Sequence, residues 1–488
     1  MDARHAAGIA AVITGLAVAG CGEDEPTKPP PVAGPAGAPS MVVQDDAELL
    51  YGGPERAERA MDLLDRSGVQ AVRLTAGWSK LAPAARSATK PRFDAGDPGA
   101  YRAEGWARID RAVGLALQRG MAPMIDIAFW APVWATAGDS SERPRTGVDP
   151  REYALFARAV ARRYRDDVRT FTLWNEPNHS GFLAPQRKGR RAVSPHLYRR
   201  MVAAAYPAVK DERPDSVVLV GGLAAHGRVH GLPPLEFLRD MACVDRRLRP
   251  VGTGECANFL PVPGDGFAHH PYSTRTRPDT VERSASADDV PLARIGRLIG
   301  LLDRLAAAGR VAPALRDVYI TEYAYESNPP DPGAPYSPER AARMMAFAEA
   351  LAAREPRVRS FSQFLVRDLP GEVGGQRVGA LPDWQSGFEF ANGHPKPLAA
   401  VLPAPLHAER VDPSFVRLWG RVRPGRGRRR VRIESAAAPG AWRGVLDGRT
   451  DPRGVVEQEL PARRGTVFRI GRRESGRWVY GPAVDALR

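Results

Sequence analysis

The stretch FTLWNEPN at residues 171–178 decides how the rest of the chain is arranged. Its first four residues are aromatic, β-branched or aliphatic, which is typical of a short buried strand. Pro177 cannot donate a backbone hydrogen bond to a sheet and favours extended backbone at Glu176, so we expect the strand to end there. A second apolar strand, DVYITEY at residues 317–323, also ends in a glutamate, Glu322. Two carboxylates at the ends of buried strands indicate a pair that acts on one bond.

From residue 41 onward, apolar strands alternate with amphipathic helices, which is typical of an α/β fold with a parallel sheet. The predicted strands are 41–44, 69–74, 122–129, 171–174, 216–220, 267–272, 317–323 and 358–366. The predicted helices are 55–67, 106–119, 151–164, 196–210, 290–308 and 338–354, and a last one follows residues 394–397. We expect Gly221 and Gly222 to end the fifth strand. Eight strand–helix repeats over about 360 residues predict a (β/α)8 TIM barrel over residues 41–405.

The alternative α/β arrangement is an open, doubly wound sheet. Such sheets commonly carry a glycine-rich phosphate turn directly after the first strand, and no such turn follows residues 41–44. The barrel is therefore the favoured interpretation.

After Pro405 the pattern changes to short alternating segments separated by Pro-Gly, Asp-Gly and Ser-Gly turns. These segments are 415–422, 429–434, 455–460, 466–470 and 478–480. They predict a small antiparallel β domain over residues 406–488. The arginine-rich run at 426–432 leads into an alternation of arginine with Val431 and Ile433, which fits either a solvated strand face or a patch for an anionic glycan or cell wall.

The net charge of +14 comes almost entirely from arginine scattered along the chain. This scatter fits a compositional bias at least as well as a binding surface, so we predict no nucleic-acid partner. The sequence does not indicate an oligomeric state.

The first residues resemble an export signal. Arg4 and His5 precede a short apolar run at 6–19, and small residues lead into Cys21. This pattern is similar to the bacterial lipoprotein signal, so residues 1–21 are predicted to be that signal, with Cys21 as the lipidated residue and membrane anchor. The alternative is an ordinary signal peptide cleaved nearby. Residues 22–40 are rich in Pro, Gly and Ala and predict a flexible tether, so the protein is expected on the extracellular face of the bacterial membrane or secreted.

Two further cysteines, Cys243 and Cys256, are separated by a short Arg/Pro/Gly-rich loop. In an exported protein such a pair predicts a disulfide, and two free buried thiols are the alternative. Neither interpretation gives the cysteines a catalytic role.

Residues near the ends of the predicted strands resemble those of the retaining (β/α)8 glycoside hydrolases of clan A, and within the clan those of families 39 and 5. The matching positions are VRL at 72–74 with Trp78, Asp126 with Pro132 and Trp134, Tyr153, Phe156, Arg162, Arg163 and Tyr164 on one helix, LWNEPN at 173–178, GGL at 221–223, HHPY at 269–272, and Thr321 with Glu322. The resemblance covers about residues 41–405 and every strand except the last.

The resemblance implies that Glu176 is the acid/base and Glu322 the nucleophile. Retaining hydrolysis needs one carboxylic acid to protonate the leaving oxygen and one carboxylate to attack the anomeric carbon, roughly 5–5.5 Å apart. Asn175 corresponds to the family's hydrogen-bond donor to the sugar 2-hydroxyl. The alternative for each glutamate is a buried salt-bridge partner, which is costly for a carboxylate without a role.

The same resemblance assigns supporting roles to three further residues. Arg73 and Tyr272 correspond to groups that orient the nucleophile, with an ordinary buried ion pair as the alternative for Arg73. His270 corresponds to a histidine that contacts the substrate or the acid/base. His269 and His270 are not predicted to bind a metal, since adjacent strand residues point to opposite faces. The chemistry implied by the family needs no metal and no cofactor.

Aromatic residues near the strand ends are candidates for stacking against sugar rings. Trp78, Trp130 and Trp134 are such residues, with plain packing as the alternative. The family commonly carries a tryptophan on its eighth strand, whereas this chain has FSQFLVRD at 361–368. Either Gln363 or Phe364 lines that position, or Trp384 from the following loop covers it.

The sequence therefore predicts a retaining O-glycoside hydrolase that acts on a poly- or oligosaccharide outside the cell or in the cell envelope. The alternative is a carbohydrate-binding or scaffold protein on a barrel without turnover. The sugar, the linkage and the choice between endo and exo action depend on loops, and those at 274–286 and 371–375 are expected to set them.

Overall fold

The computed structural model describes residues 32–227, 231–273, 275–283, 285–370, 372–373, 376–377, 384–424, 427–438 and 440–487. The predicted signal at 1–21, its Cys21, and residues 22–31 of the predicted tether lie outside the described residues, as does part of the loop at 371–375. Across the described ranges, the helices are too short or too polar for any of them to cross a membrane.

Eight parallel strands close into a barrel, which confirms the predicted (β/α)8 fold. The strands are β1 (Ser40–Gln44), β2 (Ala71–Gly77), β3 (Ala122–Ala128), β4 (Thr170–Leu173), β5 (Val217–Ala224), β6 (Gly266–His270), β7 (Val318–Ile320) and β8 (Val358–Phe364). Each strand pairs with the next in the chain, and β8 pairs with β1. All strand carboxyl ends therefore meet at one mouth of the barrel, the catalytic face of this fold.

Helices cover the outside of the barrel. They are α1 (Pro54–Arg66), α2 (Trp78–Leu81), α3 (Ala103–Gln118), α4 (Pro150–Arg163), α5 (Ser194–Glu212), α6 (Pro234–Met241), α7 (Ile295–Ala307), α8 (Pro338–Arg354) and α9 (Pro397–Val401). Local signals explain their starts: Asp149 accepts hydrogen bonds from the first-turn amides of α4, and Ser337 does the same for α8. Prolines at the first helical positions reinforce both starts.

The fifth strand continues through Gly221 and Gly222, so the expectation that they end it is wrong. The pairing of β5 with β6 shifts register between Gly221 and Leu223, which is the signature of a bulge. Gly221 has a φ of 109°, and a Cβ there would lie 2.7 Å from the carbonyl oxygen of Ala268. Only glycine fits this position, and the bulge re-aims the strand end toward the catalytic face.

Residues 32–40 do not form the flexible tether that the composition predicts. Val32 is 2% exposed and packs in a cluster with Val42, Ala71 and Met124 at the amino-terminal mouth of the barrel. The amide of Gly34 donates to the carbonyl of Arg359 at 2.8 Å. This segment is an amino-terminal plug that closes the mouth opposite the strand carboxyl ends. For residues 22–31 the flexible tether stays a prediction.

The carboxyl-terminal region is an antiparallel β domain, as predicted. Its strands are β9 (Leu406–Arg410), β10 (Phe415–Arg421), β11 (Arg430–Ala436), β12 (Arg443–Arg449), β13 (Val455–Pro461), β14 (Val467–Glu474), β15 (Arg477–Tyr480) and β16 (Val484–Asp485). They form a sheet of order β9-β10-β13 and a five-stranded sheet in which β12, β11, β14 and β15 are neighbours and β16 pairs with β14. Strands β9, β12 and β16 are not among the predicted segments.

A buried ion cluster joins the β domain to the barrel. Glu349 of α8 accepts hydrogen bonds from Arg421, at 3.1 Å, and from Arg423. Burial disfavours a charged Glu349, but the two guanidinium groups outweigh burial and hold its pKa below the usual value. Arg421 also donates to the carbonyl of Pro39 at 2.6 Å, so the same cluster holds the plug.

The predicted disulfide between Cys243 and Cys256 is confirmed, with 5.7 Å between the two Cα atoms. It closes the loop that follows α6. In the chain-entropy model such a short closed loop contributes about 3 kcal/mol to stability.

Candidate active site

The two glutamates singled out by the sequence lie together at the carboxyl-terminal mouth of the barrel. Glu176 follows β4 and Glu322 follows β7. One carboxylate oxygen of Glu176 lies within 4.8 Å of one carboxylate oxygen of Glu322, and a ring nitrogen of His270 lies within the same distance of both. The side chains of Glu176 and Glu322 remain 14% and 11% exposed. Two solvent-reachable carboxylates at this separation can act on opposite sides of one bond.

The backbone around Glu176 adopts an unusual conformation. Trp174 has a φ of 66° and Glu176 a φ of 39°, in the left-handed region that bulky residues seldom occupy. The amide of Trp174 donates to the carbonyl of Ile127 at 3.1 Å, and the amide of Glu176 donates to that of Gly222 at 3.0 Å. These bonds to β3 and β5 hold a turn that would otherwise relax, and strain of this kind is concentrated at functional sites.

Glu322 is held through both of its oxygens. Nη1 of the buried Arg73 donates to Oε1 at 2.6 Å, and the hydroxyl of Tyr272 donates to Oε2 at 3.2 Å. Burial, reinforced by the charge of Glu322, raises the pKa of Tyr272 well above its usual value, so the phenol stays a hydrogen-bond donor. The carboxylate therefore cannot rotate freely and presents one orientation to the mouth.

Arg73 is the centre of a buried polar network. Its Nη2 lies 2.8 Å from Oδ2 of Asp126 and donates to Oδ1 of Asn175 at 3.1 Å. Burial opposes its charge, but Asp126 and Glu322 together raise the pKa of Arg73 above its usual value. Burial raises the pKa of Asp126 to about 6, even though Arg73 and a hydrogen bond from Thr172 act in the opposite direction. Arg73 therefore remains a fixed cation that connects β2, β3, β4 and β7.

His270 bridges the two glutamates. Its Nδ1 lies 3.0 Å from Oε1 of Glu176 and 3.6 Å from Oε2 of Glu322, and its Nε2 lies 3.0 Å from the hydroxyl of Thr321. His269 points elsewhere, with its Nε2 at 2.8 Å from the carbonyl of Val290. The two histidines thus face different surroundings, as the strand alternation predicts.

Glu176, His270 and Glu322 also form a group of the kind that can coordinate a metal ion. Arg73 places a permanent positive charge 2.6 Å from Glu322. That charge opposes a second cation at the same carboxylate.

Gln44, at the end of β1, is a site residue that the sequence analysis missed. It accepts a hydrogen bond from Nη1 of Arg73, the nitrogen that also contacts Glu322. The signal was present in the sequence, because a polar residue directly after the apolar strand MVV marks a carboxyl end like those of β4 and β7.

The tryptophan predictions have different outcomes. Trp78 is fully buried, with its ring stacked on Phe156 at 5.4 Å, so the stacking role against a sugar is wrong for this residue. Trp134 is half-buried in the same aromatic cluster, with its ring 6.0 Å from that of Trp78 and 5.7 Å from that of Phe93. Packing against α4 explains why these aromatics follow β2 and β3.

Trp130 lines a cavity of about 840 Å³ at the same mouth of the barrel. Its indole Nε1 donates to the carbonyl of Gly181 at 2.9 Å, in the loop that carries Glu176. The lining residues of this cavity come from the segments after β2 and β3 and do not include either glutamate.

The eighth-strand position is covered by Trp384. Its ring lies 4.9 Å from that of Tyr272 and 5.6 Å from that of Phe364. Gln363 is fully buried and donates to the backbone carbonyls of Leu365 and Ser386, so the suggestion that it lines the sugar position is wrong. Of the alternatives raised by the missing tryptophan, the structure brings Trp384 and Phe364 to the mouth.

The structure is thus a (β/α)8 barrel with paired glutamates after β4 and β7. Residues 35–240 match the sequence model of the family described as Cellulase (glycosyl hydrolase family 5). The matched segment includes Glu176 and Arg73, and Glu322 lies beyond it. The expected resemblance to glycoside hydrolase family 5 of clan A is thus confirmed over residues 35–240.

Solved structures with a related fold include several glycosidases. A β-glucuronidase of Bacteroides uniformis has 10% identity and a TM-score of 0.45, covering 94% of this chain and 46% of its own. A hyperthermophilic β-glucosidase mutant has 14% identity and a TM-score of 0.48, covering 75% of this chain and 98% of its own. This chain spans about half the length of the β-glucuronidases it matches. A search of curated proteins finds no match.

Proposed function

We propose that the protein is a retaining O-glycoside hydrolase in which Glu322 is the nucleophile and Glu176 the acid/base. The observation that carries this proposal is the separation of the two carboxylates: one oxygen of Glu176 lies within 4.8 Å of one oxygen of Glu322. Retaining enzymes hold their carboxyl groups about 5–5.5 Å apart, whereas inverting enzymes need about 6.5–9.5 Å to admit a water molecule. The distance therefore favours direct attack by a carboxylate.

The contacts of the two glutamates support the division of roles. Glu322 receives hydrogen bonds from Arg73 and Tyr272, which stabilise an oriented carboxylate. Among the described side chains, the carboxylate of Glu176 has one hydrogen-bond contact, with the imidazole of His270. A fixed anion beside a less constrained carboxyl group suits nucleophile and acid/base respectively.

The reaction follows from these positions in two steps. Glu322 attacks the anomeric carbon while Glu176 gives its proton to the glycosidic oxygen, so that the old C–O bond breaks and a glycosyl–enzyme ester forms. Glu176, now a carboxylate, takes a proton from water, and the resulting hydroxide displaces Glu322 from the sugar. Two displacements at one carbon restore its original configuration.

Asn175 is proposed to stabilise the transition state. Its Oδ1 accepts a hydrogen bond from Arg73, which orients the amide and directs its Nδ2 donor away from the arginine. A donor in this position can bond the sugar 2-hydroxyl, an interaction that strengthens as positive charge develops on the ring.

We propose an extracellular or cell-envelope poly- or oligosaccharide as the substrate. The disulfide between Cys243 and Cys256 supports an oxidising location. The lipoprotein-like residues 1–21 support membrane attachment through Cys21. In a bacterial host, full-length protein should fractionate with the membrane and Cys21→Ala should not; equal fractionation of both would contradict the anchor.

The function is tested by a panel of aryl glycosides, with the first-formed sugar followed by NMR before it mutarotates. We expect hydrolysis with retained anomeric configuration. An inverted product would overturn the roles of the two glutamates. Binding of glycans without release of any sugar across the panel would favour the non-catalytic carbohydrate-binding alternative.

A further inference from the structure

The cavity beside Trp130 is strongly cationic. Four basic side chains line its volume of about 840 Å³, and a single carboxylate, that of Glu142, faces them. The basic residues are Lys80, Arg86, Arg102 and Arg143. They come from two separate segments, after β2 and after β3, so the concentration of charge is created by the fold rather than by one basic run.

Among the described residues, these four cations have no ion-pair partner. In the described ranges, none of them has a carboxylate within ion-pair distance; Arg86 instead donates to the carbonyl of Ser141 at 2.8 Å, and Arg143 lies over the Trp130 ring at 4.7 Å. Lys90 in the same segment, by contrast, pairs with Glu152 at 2.6 Å. A concave surface with unpaired cations attracts and concentrates anions.

The cavity is connected to the loop that carries Glu176. Trp130 donates from its indole to Gly181, and its ring stacks on Phe182 at 6.3 Å. The carbonyl of Trp130 accepts from the amide of Ser79 at 2.8 Å, which fixes the other wall. These contacts fix one wall of the cavity against the loop that follows Glu176.

We propose that this cavity is a subsite for an anionic sugar unit, so that the substrate is an acidic poly- or oligosaccharide. The inference rests on the proposed function, because it names the substrate class of the same site. Guanidinium groups bind carboxylate and sulfate oxygens through paired, charge-assisted hydrogen bonds. Trp130, with Arg143 over its ring, adds an apolar surface to the wall of the cavity.

A second basic cavity on the molecule offers a matched control. It has a volume of about 470 Å³ and is lined by residues of α6, α7 and the chain between them. Its charged residues are Arg239, Arg246, Arg247, Arg297, Arg304 and one carboxylate, Asp288. Its lining includes no aromatic ring, and it lies on the helical wall of the barrel. Removing two arginines there changes the net charge of the protein equally without touching the catalytic mouth.

The experiment measures binding by calorimetry at two salt concentrations, using Glu322→Gln in the full chain to prevent turnover. The probes are cellotetraose and β-1,4-tetraglucuronate, which share a backbone and differ in the carboxylate at C6. We expect the acidic probe to bind at least about tenfold more tightly and to lose about tenfold in Arg86→Gln/Arg143→Gln, since each charged hydrogen bond is substantial. The control Arg246→Gln/Arg247→Gln should change binding by less than about twofold.

Equal binding of the two probes, no measurable binding of the acidic one, or an equal loss in the control pair would overturn the subsite. A 6-sulfated cellotetraose distinguishes a preference for sulfate from one for carboxylate, and tighter binding of either acidic form over the neutral one supports the proposal. The catalytic proposal and the subsite proposal can fail separately. Hydrolysis of neutral aryl glycosides without a preference for the acidic probe overturns only the subsite. Binding of the acidic probe without hydrolysis of any glycoside overturns only the catalytic proposal.

Discussion

Arg73 and Glu322 are separated by 249 residues in the chain, and Nη1 of the first lies 2.6 Å from Oε1 of the second. The arginine is 1% exposed and belongs to β2, on the other side of the barrel axis from β7. Closing the barrel is what brings the two together, so the proposed nucleophile is oriented only in the folded protein.

Glu322→Ala should lower kcat on an activated aryl glycoside by about 10³-fold or more, because the first displacement loses its nucleophile. Added azide should restore turnover and give a glycosyl azide of inverted configuration, since it enters from the side that the carboxylate vacates. Product NMR checks this outcome. The exposed Glu339→Ala on α8 is the control, and an unaffected rate in Glu322→Ala would end the assignment.

Glu176→Ala should lower the rate of hydrolysis most for the substrates whose leaving groups are most basic. Poor leaving groups need the proton and should lose about 10²–10⁴-fold, whereas a dinitrophenolate departs without it and should show a burst as the glycosyl–enzyme accumulates. A plot of log kcat/KM against leaving-group pKa checks this dependence. A uniform loss across all leaving groups would contradict the acid/base role.

Arg73→Met should destabilise the protein as well as inactivate it. Asp126 and Glu322 would lose the guanidinium group that they share, and breaking such a buried pair costs about 3–5 kcal/mol in free energy of unfolding. Adding Asp126→Asn should recover part of the stability but not the activity. Arg59→Met, which breaks an exposed pair with Glu55, should cost less than about 1 kcal/mol by denaturant titration.

His407→Phe should reduce the loss of stability that occurs as the pH falls. The imidazole stacks on Phe347 at 4.1 Å between β9 and α8, and burial lowers its pKa to about 4. An unfolded histidine takes up a proton near pH 6.5, so the folded state loses up to about 3 kcal/mol as the pH falls from 6.5 to 4. Phenylalanine keeps the stacking and removes this loss.

The test of the His407 prediction compares unfolding free energies at pH 7.5 and pH 4.5. Buried His196 and His269 give stability losses of the same sign, and buried Asp45, with a pKa raised to about 6, gives the opposite sign, so only the difference from the unaltered protein is informative. The exposed His394→Phe is the control. An acid-induced loss as large in His407→Phe as in the unaltered protein would refute the prediction.

The position of the two glutamates could be predicted from sequence because parallel strands place their carboxyl ends at one edge. An apolar strand followed by a charged residue, as at Glu176 and Glu322, therefore specifies both a position and an exposure. Strand pairing then determines the neighbours, which is why Arg73, Tyr272 and His270 lie within hydrogen-bonding distance of the glutamates.

The remaining features depend on packing that sequence pattern does not express. Trp78 and Trp130 both follow strand ends, yet one is fully buried against Phe156 and the other lines a cavity. Gly221 and Gly222 have the composition of a strand end and instead form a bulge inside β5. Such differences arise from contacts between distant elements, and no local period predicts them.

The plug at residues 32–40 makes the two mouths of the barrel different. It packs at the mouth opposite the glutamates, so Val32 lies at the end of the barrel away from the catalytic face. If the proposed attachment through Cys21 holds, the attached end of the described chain is on the side of the barrel away from the proposed substrate-binding mouth.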